Sequence, residues 1–407
     1  MKMTDNVAVV GGVYHEACVF PWRKAVLGSG GRAACVLANL GCTVHLFSAA
    51  DSATESTFLP IADSFLRIQC SFERLERSAG FFYSHPLAQP IIRQPRRITE
   101  GETPNPLSVG NVLYFGMLEG VPHISADTVV YDPQDPGRPS WFRTTGTAKR
   151  LAYILNAEEA KLLSGETTAN SAAALIAAKE NAEVVIIKRG PRGSLLWTRE
   201  RVEEIPCYRT PAVYKIGSGD IFSAVFFFEW AINGQPPLEA AHAAARATAT
   251  YCATGGEPQV ISPGCYATER ILWAAAPKAP LTSKQVYLAG PFFTTPQRWL
   301  ITEAYRILTA FGLSVFSPFH NIGLGPPEKV VNKDLAGIDN SSLVYAIIDG
   351  ADYGTLFEIG YAKAKGIEVI ALAESQSQEG ESLTMLAGSG CHLYHDFAAS
   401  LYECCWA

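Results

Sequence analysis

A glycine-rich turn that ends in an aspartate lies near the middle of the chain. Residues 215–220 read KIGSGD and precede an apolar segment. Gly217 and Gly219, with Ser218 between them, allow a tight turn whose backbone N–H groups point outward at the start of the following helix. Such a turn suits the charge that develops on a transferred phosphoryl group. Asp220 can accept a proton from an attacking hydroxyl, although aspartate is also a favoured helix N-cap.

A second group of acidic residues, in the last third of the chain, consists of Asp334, Asp349, Asp352 and Glu358. Asp352 follows an expected strand, and we expect Glu358 in the first turn of the next helix. In doubly wound folds this strand-to-helix crevice binds ligands. Neighbouring carboxylates raise one another's pKa, so that one can act as a nucleophile while another donates a proton. The alternative is structural, because acidic residues at a helix start complement the helix dipole.

The elements that must position these residues alternate between strand and helix along the whole chain, which predicts an α/β fold with mostly parallel sheets. Expected strands lie at 7–12, 43–47, 112–116, 128–132, 152–156, 183–190, 285–290, 313–318, 343–349 and 368–372, and expected helices at 221–232, 238–254, 267–276, 298–312 and 355–366. The Pro-containing residues 276–284 have the composition of a linker. We therefore predict an α/β/α domain at 1–278 and a small doubly wound parallel-sheet domain at 279–407.

Composition excludes several classes of protein. Of 407 residues, 48% are hydrophobic and 18% are charged, which is typical of a globular protein. The net charge of −6 argues against a nucleic-acid-binding protein, and we expect no membrane association because no apolar run spans a bilayer. We find no signal peptide, and the ten cysteines form no CxxC pair. We expect reduced thiols and a cytoplasmic location.

Four segments, in order, resemble the ribokinase-like (PfkB) family of carbohydrate and nucleoside kinases over roughly the first 260 residues. They are GSGGRAACVLANLG at 28–41, the NxxE motif at Asn156–Glu159, EVVIIKRGPRGSLL at 183–196 and the GSGD turn at 217–220. The resemblance implies ATP and Mg²⁺ as cosubstrate and cofactor, with Asp220 as the catalytic base. It also implies an anion hole at Gly217, Ser218 and Gly219, ATP contacts at Lys188 and Gly190, metal contacts at Asn156 and Glu159, and acceptor contacts at Glu16, Gly30 and Gly31.

The kinase-like half departs from the family at two acceptor-binding positions. Glu16 stands where the family usually has aspartate, and Cys35 replaces the usual asparagine of the glycine motif. A thiol is a poor hydrogen-bonding partner. These substitutions leave the identity of the acceptor open and keep a second interpretation, in which a degenerate kinase domain binds nucleosides as a sensor.

Residues 285–395 resemble the nucleoside 2-deoxyribosyltransferase family. The segments that carry the resemblance are YLAGPFFTTPQ at 287–297, NKDLAGID at 332–339, expected here as an acidic loop, and DYGTLFEIGYAKAKG at 352–366. The resemblance implies that Glu358 attacks C1′ of the sugar, with Asp352 and Asp334 binding the nucleoside and managing protons on the leaving base. It further implies that Tyr287 lies near the nucleophile and that Phe292 and Phe293 flank the base.

Together the two resemblances imply a bifunctional enzyme that acts on small nucleosides or pentoses and forms a homo-oligomer. Two orders of reaction remain open. Either the glycosidic bond breaks first and the freed sugar is phosphorylated, or a nucleoside 5′-monophosphate is made first and then cleaved. The aromatic turn at 291–294 favours free nucleosides, and the choice between transfer to a base and hydrolysis stays open.

Overall fold

The chain folds into two compact units, Met1–Thr210 with Tyr214–Ala275 and Pro211–Val213 with Ala276–Ala407. The computed structural model describes residues 6–97, 107–134, 139–267, 273–276, 285–323, 325–350, 352–375 and 383–407. The predicted domain boundary at 278 and most of the predicted linker lie outside these residues, as does half of the helix expected at 267–276. The boundary therefore stays a prediction.

Unit 1 is built on a ten-stranded sheet. Its strands, in spatial order, are β14-β13-β12-β11-β10-β9-β1-β4-β5-β8. The pairs from β12 to β5 are parallel, whereas β13, β14 and β8 pair antiparallel at the two edges. The strands are β1 Asn6–Val10, β4 Thr43–Ala50, β5 Ile68–Arg77, β8 Arg96–Arg97, β9 Leu107–Phe115, β10 Ile124–Asp132, β11 Gly146–Asn156, β12 Val184–Lys188, β13 Ser194–Thr198 and β14 Val202–Ile205.

Helices cover the two faces of this sheet, and the central strands are accordingly apolar on both sides. The helices of unit 1 are α1 Gly28–Asn39, α2 Ser52–Ser64, α3 Ala157–Ser164, α4 Ala169–Glu180, α5 Ser218–Phe227 and α6 Pro237–Ala253. Buried residues of α1, α5 and α6 share one core with Val7 and Val9 of β1, whereas residues of α3 and α4 share the other core with Ala8 and Val10. The alternation along β1 thus divides the unit into two cores.

A second, smaller sheet of unit 1 was not predicted. It has the order β3-β2-β6-β7, with strands β2 His15–Cys18, β3 Arg23–Val26, β6 Gly80–Tyr83 and β7 Ile91–Arg93. Each strand has only three or four residues, and several of them are polar, so none stands out as an apolar segment. Glu16 lies on β2 and is carried to the site by this sheet.

Unit 2 is a five-stranded, wholly parallel sheet of order β16-β15-β17-β18-β19. Its strands are β15 Gln285–Ala289, β16 Ser314–Phe316, β17 Leu343–Ile347, β18 Glu368–Leu372 and β19 His392–Tyr394. Its helices are α7 Thr295–Ala310, α8 Pro318–Asn321, α9 Pro327–Asp339, α10 Tyr353–Ala364, α11 Thr384–Gly388 and α12 Phe397–Trp406. The order reverses at β15, and the carboxyl ends of β15 and β17 there flank a crevice typical of ligand sites.

The sequence-based expectation of an α/β protein with two parallel sheets is confirmed. The apolar segment expected as one helix at 221–232 is α5 followed by a π-helical turn, Phe228–Ile232. Within the described residues, no helix combines the length and the hydropathy needed to span a bilayer.

Candidate functional site

The turn before α5 has the geometry that its two glycines predict. Gly217 is the N-cap residue with φ of +78°, a left-handed conformation that favours glycine. The Ser218 N–H donates to the Lys215 carbonyl (2.9 Å), and the Asp220 N–H donates to that of Gly217 (3.1 Å). Because Gly217 caps the helix, Asp220 does not, and the alternative role of Asp220 as an N-cap is wrong.

The Asp220 carboxylate lies in a buried ion-pair network. It accepts hydrogen bonds from Arg32 Nη1 (2.5 Å) and from Gln134 Nε2 (2.6 Å) and is 6% exposed. Arg32, which is 2% exposed, also pairs with the Glu16 carboxylate. Burial raises the pKa of Glu16, and the neighbouring guanidinium opposes that rise. One arginine therefore holds the expected base and the expected acceptor-binding acid together.

Sequence reasoning missed Arg32, although one signal was available. It is the only charged residue of α1, whose sequence is GSGGRAACVLAN, and an arginine in such an apolar helix needs a buried anion. Gly30 and Gly31 set its position. A Cβ on Gly30 would lie 2.4 Å from the Gly11 carbonyl, and one on Gly31 would lie 2.7 Å from the ring of Phe58. Gly30 therefore lets α1 approach the end of β1 closely, and Gly31 lets it approach Phe58 of α2.

Lys188 lies beside the same turn. Its ammonium donates to Asp132 Oδ2 (2.7 Å), which also accepts from the Ser223 hydroxyl of α5 (2.8 Å). A Cβ on Gly219 would lie 3.2 Å from Lys188 Nζ, so this cation stands next to the turn. Burial alone would lower the pKa of Lys188, but the Asp132 and Glu159 carboxylates raise it and keep the ammonium charged. Burial raises the pKa of Asp132 in turn.

The predicted metal-binding pair, Asn156 and Glu159, forms a capping box at the start of α3. The Glu159 N–H donates to Asn156 Oδ1 (2.9 Å), and the Asn156 N–H donates to Glu159 Oε2 (2.7 Å). Asn156 pairs in register with Lys188, whose ammonium lies beside the Gly217–Asp220 turn. Within the described residues, no group of three or more His, Cys, Asp or Glu side chains is arranged to hold a metal.

Two further predicted positions of unit 1 have clear local roles. Gly190, with φ of +59°, begins the 3₁₀ turn that joins β12 to β13. Cys35 is completely buried in α1, and burial raises the pKa of its thiol to about 12. A neutral, buried thiol packs as a small apolar group.

In unit 2, Tyr287 and Glu358 meet at the sheet edge. The Tyr287 hydroxyl, buried on β15, donates to Glu358 Oε1 on α10 at 2.6 Å. Burial raises the pKa of Glu358 to about 7, the Tyr287 hydrogen bond opposes this, and the charges of Asp334 and Asp352 reinforce it. Burial also raises the pKa of Asp334, whose Oδ1 accepts no hydrogen bond from any described residue. The structure thus brings these predicted residues together.

Two details of the sequence-based prediction are wrong. Glu358 lies in the second turn of α10, because Asp352 is the N-cap and the helix starts at Tyr353. The Asp352 side chain accepts from the Thr355 N–H at 3.1 Å and from its hydroxyl. Asp334 lies in α9, a 13-residue helix, and not in a loop. Its segment contains too few turn-forming residues to end the helix that begins at Pro327.

The aromatic turn after β15 forms a small stack. The rings of Phe292 and Phe293 lie 5.5 Å apart, and Phe319, which sequence analysis did not assign, lies 5.5 Å from Phe292. Gln297 holds this turn, because its Oε1 accepts from the N–H groups of Phe293 (3.0 Å) and Thr294 (2.9 Å). Phe293 is 62% exposed and presents a flat apolar surface.

Asp349 has a different role from the other acids of the cluster. It accepts hydrogen bonds from the N–H groups of Glu374 (2.8 Å) and Ser375 (2.9 Å), just after β18. This carboxylate therefore ties the ends of β17 and β18 together and is occupied by the backbone.

Two different family models match the two units. Residues 126–263 match the model of the pfkB family carbohydrate kinases, and residues 286–389 match the model of the nucleoside 2-deoxyribosyltransferases. The first range contains Lys188 and the Gly217–Asp220 turn, and the second contains Tyr287 and Glu358. No curated protein matches the chain significantly.

Solved structures resemble unit 1. A protein assigned as a ribokinase from Agrobacterium tumefaciens is 16% identical, with a TM-score of 0.50 over 63% of this chain and 94% of that chain. A fructokinase double mutant from Vibrio cholerae with fructose, ADP and potassium bound is 12% identical, with a TM-score of 0.49 over 65% and 97%. A Burkholderia thailandensis nucleoside kinase in complex with inosine is 15% identical, with a TM-score of 0.46 over 63% and 94%. At these identities the likeness shows the fold alone.

The chain thus joins two units. The first has a ribokinase-like α/β fold and contains the segment that matches the pfkB carbohydrate kinase model, and the second has its own parallel sheet and is nucleoside 2-deoxyribosyltransferase-like.

Proposed function

We propose that the chain is a bifunctional enzyme of nucleoside and sugar metabolism. Unit 2 cleaves or transfers at a nucleoside N-glycosidic bond through a glycosyl-enzyme intermediate on Glu358. Unit 1 transfers a phosphoryl group from ATP to a hydroxyl of a sugar or nucleoside, with Asp220 as the base. The substrate-binding residues are Glu16, Gly30 and Gly31 in unit 1 and Tyr287, Phe292, Phe293 and Asp334 in unit 2.

The observation that carries this proposal is the hydrogen bond from Tyr287 to Glu358, with Asp334 and Asp352 nearby. The bond leaves Oε2 of Glu358 as the attacking atom and orients the carboxylate. Burial raises the pKa of Glu358 to about 7, so the carboxylate is accessible near neutral pH. Burial makes that carboxylate a better nucleophile, because the protein replaces part of its hydration shell.

The glycosidic step follows from these positions. An oxygen of Glu358 bonds to C1′ while the bond between C1′ and the base nitrogen breaks, and the electron pair stays on the base. Developing positive charge on the sugar is stabilised by the carboxylate. The leaving base needs a proton, and Asp334, whose pKa burial raises, is suited to supply it. Water or a second base then attacks C1′ and releases Glu358.

In unit 1, the groups around α5 are suited to phosphoryl transfer. ATP, when bound, supplies the phosphoryl group together with its accompanying Mg²⁺. The N–H groups of Gly217 and Gly219 at the helix start and the nearby Lys188 ammonium stabilise negative charge, whereas the Ser218 N–H already donates to the Lys215 carbonyl. Asp220 accepts the proton of the acceptor hydroxyl. Arg32 and Gln134 each donate to one Asp220 oxygen, and each oxygen keeps a lone pair that can accept from the acceptor hydroxyl.

The same ion pair favours a second candidate function for unit 1. Arg32 holds both Asp220 and Glu16 in one buried network, so unit 1 could bind a nucleoside without phosphorylating it and act as a sensor. The two functions differ in ATP consumption, which only the kinase requires.

Chromatographic analysis of a nucleoside and pentose panel, with and without ATP and Mg²⁺, tests both activities at once. We expect free base from at least one nucleoside without ATP, and ADP with a phosphorylated product when ATP is present. Base release without ADP formation from any acceptor would support the sensor over the kinase. Absence of base release from every nucleoside and every 5′-monophosphate would contradict the role of unit 2.

A further inference from the structure

Gln134 has a backbone conformation that glutamine rarely adopts. Its φ is +42°, in the left-handed region, where the Cβ of an L-residue crowds the following carbonyl oxygen. In the part of the chain that the structure describes, Leu66 and Asn181 are the other non-glycine residues with a positive φ, and both follow the end of a helix, where this conformation is common. Gln134 follows the strand β10, so a helix end does not explain its conformation.

Contacts on both sides fix the segment that leads to Gln134. The Asp132 carboxylate accepts from Lys188 Nζ at 2.7 Å, and the Asp132 carbonyl accepts from the Gly116 N–H at 2.8 Å. The Pro133 carbonyl packs directly on Gly116, where a Cβ would come within 1.7 Å of the carbonyl oxygen. The end of β10 is therefore held against the end of β9, and the left-handed residue continues from this fixed position.

The conformation directs the Gln134 amide to the expected base of unit 1. Nε2 of Gln134 donates to Oδ1 of Asp220 at 2.6 Å, while Nη1 of Arg32 donates to Oδ2 at 2.5 Å. The amide nitrogen faces the carboxylate, because carboxylate oxygens offer only lone pairs. Two donors, one on each oxygen, fix the plane of the carboxylate and leave a lone pair on each oxygen for the acceptor hydroxyl.

Stability alone does not account for this arrangement. Gln134 is half-buried, and among the described residues its side chain forms one hydrogen bond, the bond to Asp220. The free-energy cost of a left-handed backbone is similar in size to the net gain from one hydrogen bond, so the two nearly cancel. Strained residues of this kind cluster at functional sites, where the surrounding structure holds them.

We propose that Gln134 is a positioning residue of unit 1, which orients the Asp220 carboxylate to accept the proton of the acceptor hydroxyl. The inference rests on the kinase activity proposed above. The amide has no charge, so it orients the carboxylate, whereas Arg32 supplies the counter-charge. Loss of the amide leaves Asp220 with a donor on one oxygen only, and the carboxylate can then turn toward the guanidinium. Phosphoryl transfer slows as a result, while the binding of ATP does not change.

Gln134→Met tests the proposal, because it keeps the length of the side chain and removes the amide. In measurements of ADP formation we expect kcat to fall about tenfold at an unchanged KM for ATP, the factor that one hydrogen bond to a charged group provides. Gln69→Met, at an exposed glutamine of β5, is the matched control and should keep the wild-type kcat. An unchanged kcat in Gln134→Met would overturn the positioning role and leave the kinase in place. Absence of ADP formation by the wild type with every acceptor would overturn both.

Gln134→Glu separates positioning from a structural role. At low pH the new carboxyl group shares a proton with Asp220, and its O–H replaces the amide as donor, whereas at high pH the proton is lost and the two carboxylates repel each other. We expect kcat relative to the wild type to fall about tenfold between about pH 6 and pH 9. A ratio that does not vary with pH would overturn the proposal.

The other titratable groups around Asp220 are present in both proteins, so their effect on this ratio cancels. They are Arg32, Glu16, Asp132, Lys188, Tyr14, Tyr83 and Tyr251.

The backbone conformation has a test of its own that does not depend on activity. Gln134→Gly should unfold at a higher urea concentration than Gln134→Ala, because glycine adopts a positive φ at little cost and alanine does not. Both variants lack the amide, so they should lose kcat to the same extent. Equal urea midpoints, or a more stable alanine variant, would overturn the backbone argument on which the proposal rests.

Discussion

Asp220 in unit 1 and Glu358 in unit 2 are both carboxylates near the start of a helix, at the carboxyl edge of a mostly parallel sheet. Their partners differ. Asp220 accepts a charged hydrogen bond from Arg32, whereas Glu358 accepts a neutral one from Tyr287 and has two further acids nearby. A guanidinium favours the ionised form of a carboxylate, whereas burial among acids favours the protonated form.

The comparison teaches that two carboxylates near a helix start can be held by chemically different neighbours. Asp220 accepts from Arg32 and Gln134, whereas Glu358 must lose its proton before it can attack. We therefore expect glycosidic activity to depend on pH near neutrality and kinase activity to depend on the buried ion pair with Arg32.

The largest expected effect comes from removal of the proposed nucleophile. Glu358→Gln keeps the size of the side chain but cannot form the glycosyl-enzyme bond, so base release should fall by about 10,000-fold or more. The measurement is chromatographic quantification of free base, with Glu328→Gln, an exposed residue of α9, as the control. ATP turnover should not change. If base release survives in Glu358→Gln, Glu358 is not the nucleophile, and the comparison of its role with that of Asp220 fails.

Asp220→Asn removes the base of the proposed kinase. ATP-dependent product formation should fall about 100- to 10,000-fold, because an amide cannot accept the hydroxyl proton. Coupled measurement of ADP gives the rate, and Asp127→Asn, an exposed ion-pair residue on the same sheet, is the matched control. An unchanged rate in Asp220→Asn would mean that the ion pair with Arg32 is structural and that the base lies elsewhere.

Arg32→Met tests whether unit 1 needs the buried guanidinium that pairs with Glu16 and Asp220. Loss of the guanidinium leaves Glu16 and Asp220 as unpaired buried carboxylates, and we expect a decrease in the free energy of unfolding of about 3–5 kcal/mol. Urea denaturation measures it. Arg96→Met, in which the broken ion pair with Glu76 is exposed, should cost less than about 1 kcal/mol. Similar costs for the two variants would contradict a central role for Arg32.

The smallest expected effect is a shift in the pH dependence of base release, which reports the pKa of Glu358. The carboxylate is the reactive form, so base release should rise with pH through about 7. Tyr287→Phe removes the hydrogen bond that lowers the pKa of Glu358, and the midpoint of the profile should move up by about one unit. The rate of base release near pH 6.5 should therefore fall below that of the wild type.

Tyr361→Phe is the control for that shift. Its hydroxyl donates to the exposed Asp339 at 3.1 Å, away from the nucleophile, and the profile should keep the wild-type midpoint. A Tyr287→Phe profile with an unchanged midpoint would show that Tyr287 does not control the ionisation of Glu358.

Sequence reasoning reached the α/β architecture, the central strands of both large sheets and the acids at the edge of the second sheet, because these follow from local periodicity and from short motifs. It did not predict β5, β8, β13, β14 or β19. It missed the small sheet that carries Glu16, whose strands are too short to show a pattern. It placed Glu358 one turn too early, since helix caps are set by geometry that single residues signal only weakly.

Arg32 and Gln134 show the limit most clearly. They lie 188 and 86 residues from Asp220 in the chain, and no local signal links them to it. By itself the sequence determined which chemical groups are present and which turns and helices carry them, because backbone preferences and side-chain types act over a few residues. Only the tertiary structure decided that Asp220 meets a guanidinium and Glu358 a phenol. Burial and neighbouring groups depend on how distant segments pack, and for Glu358 burial raises the pKa.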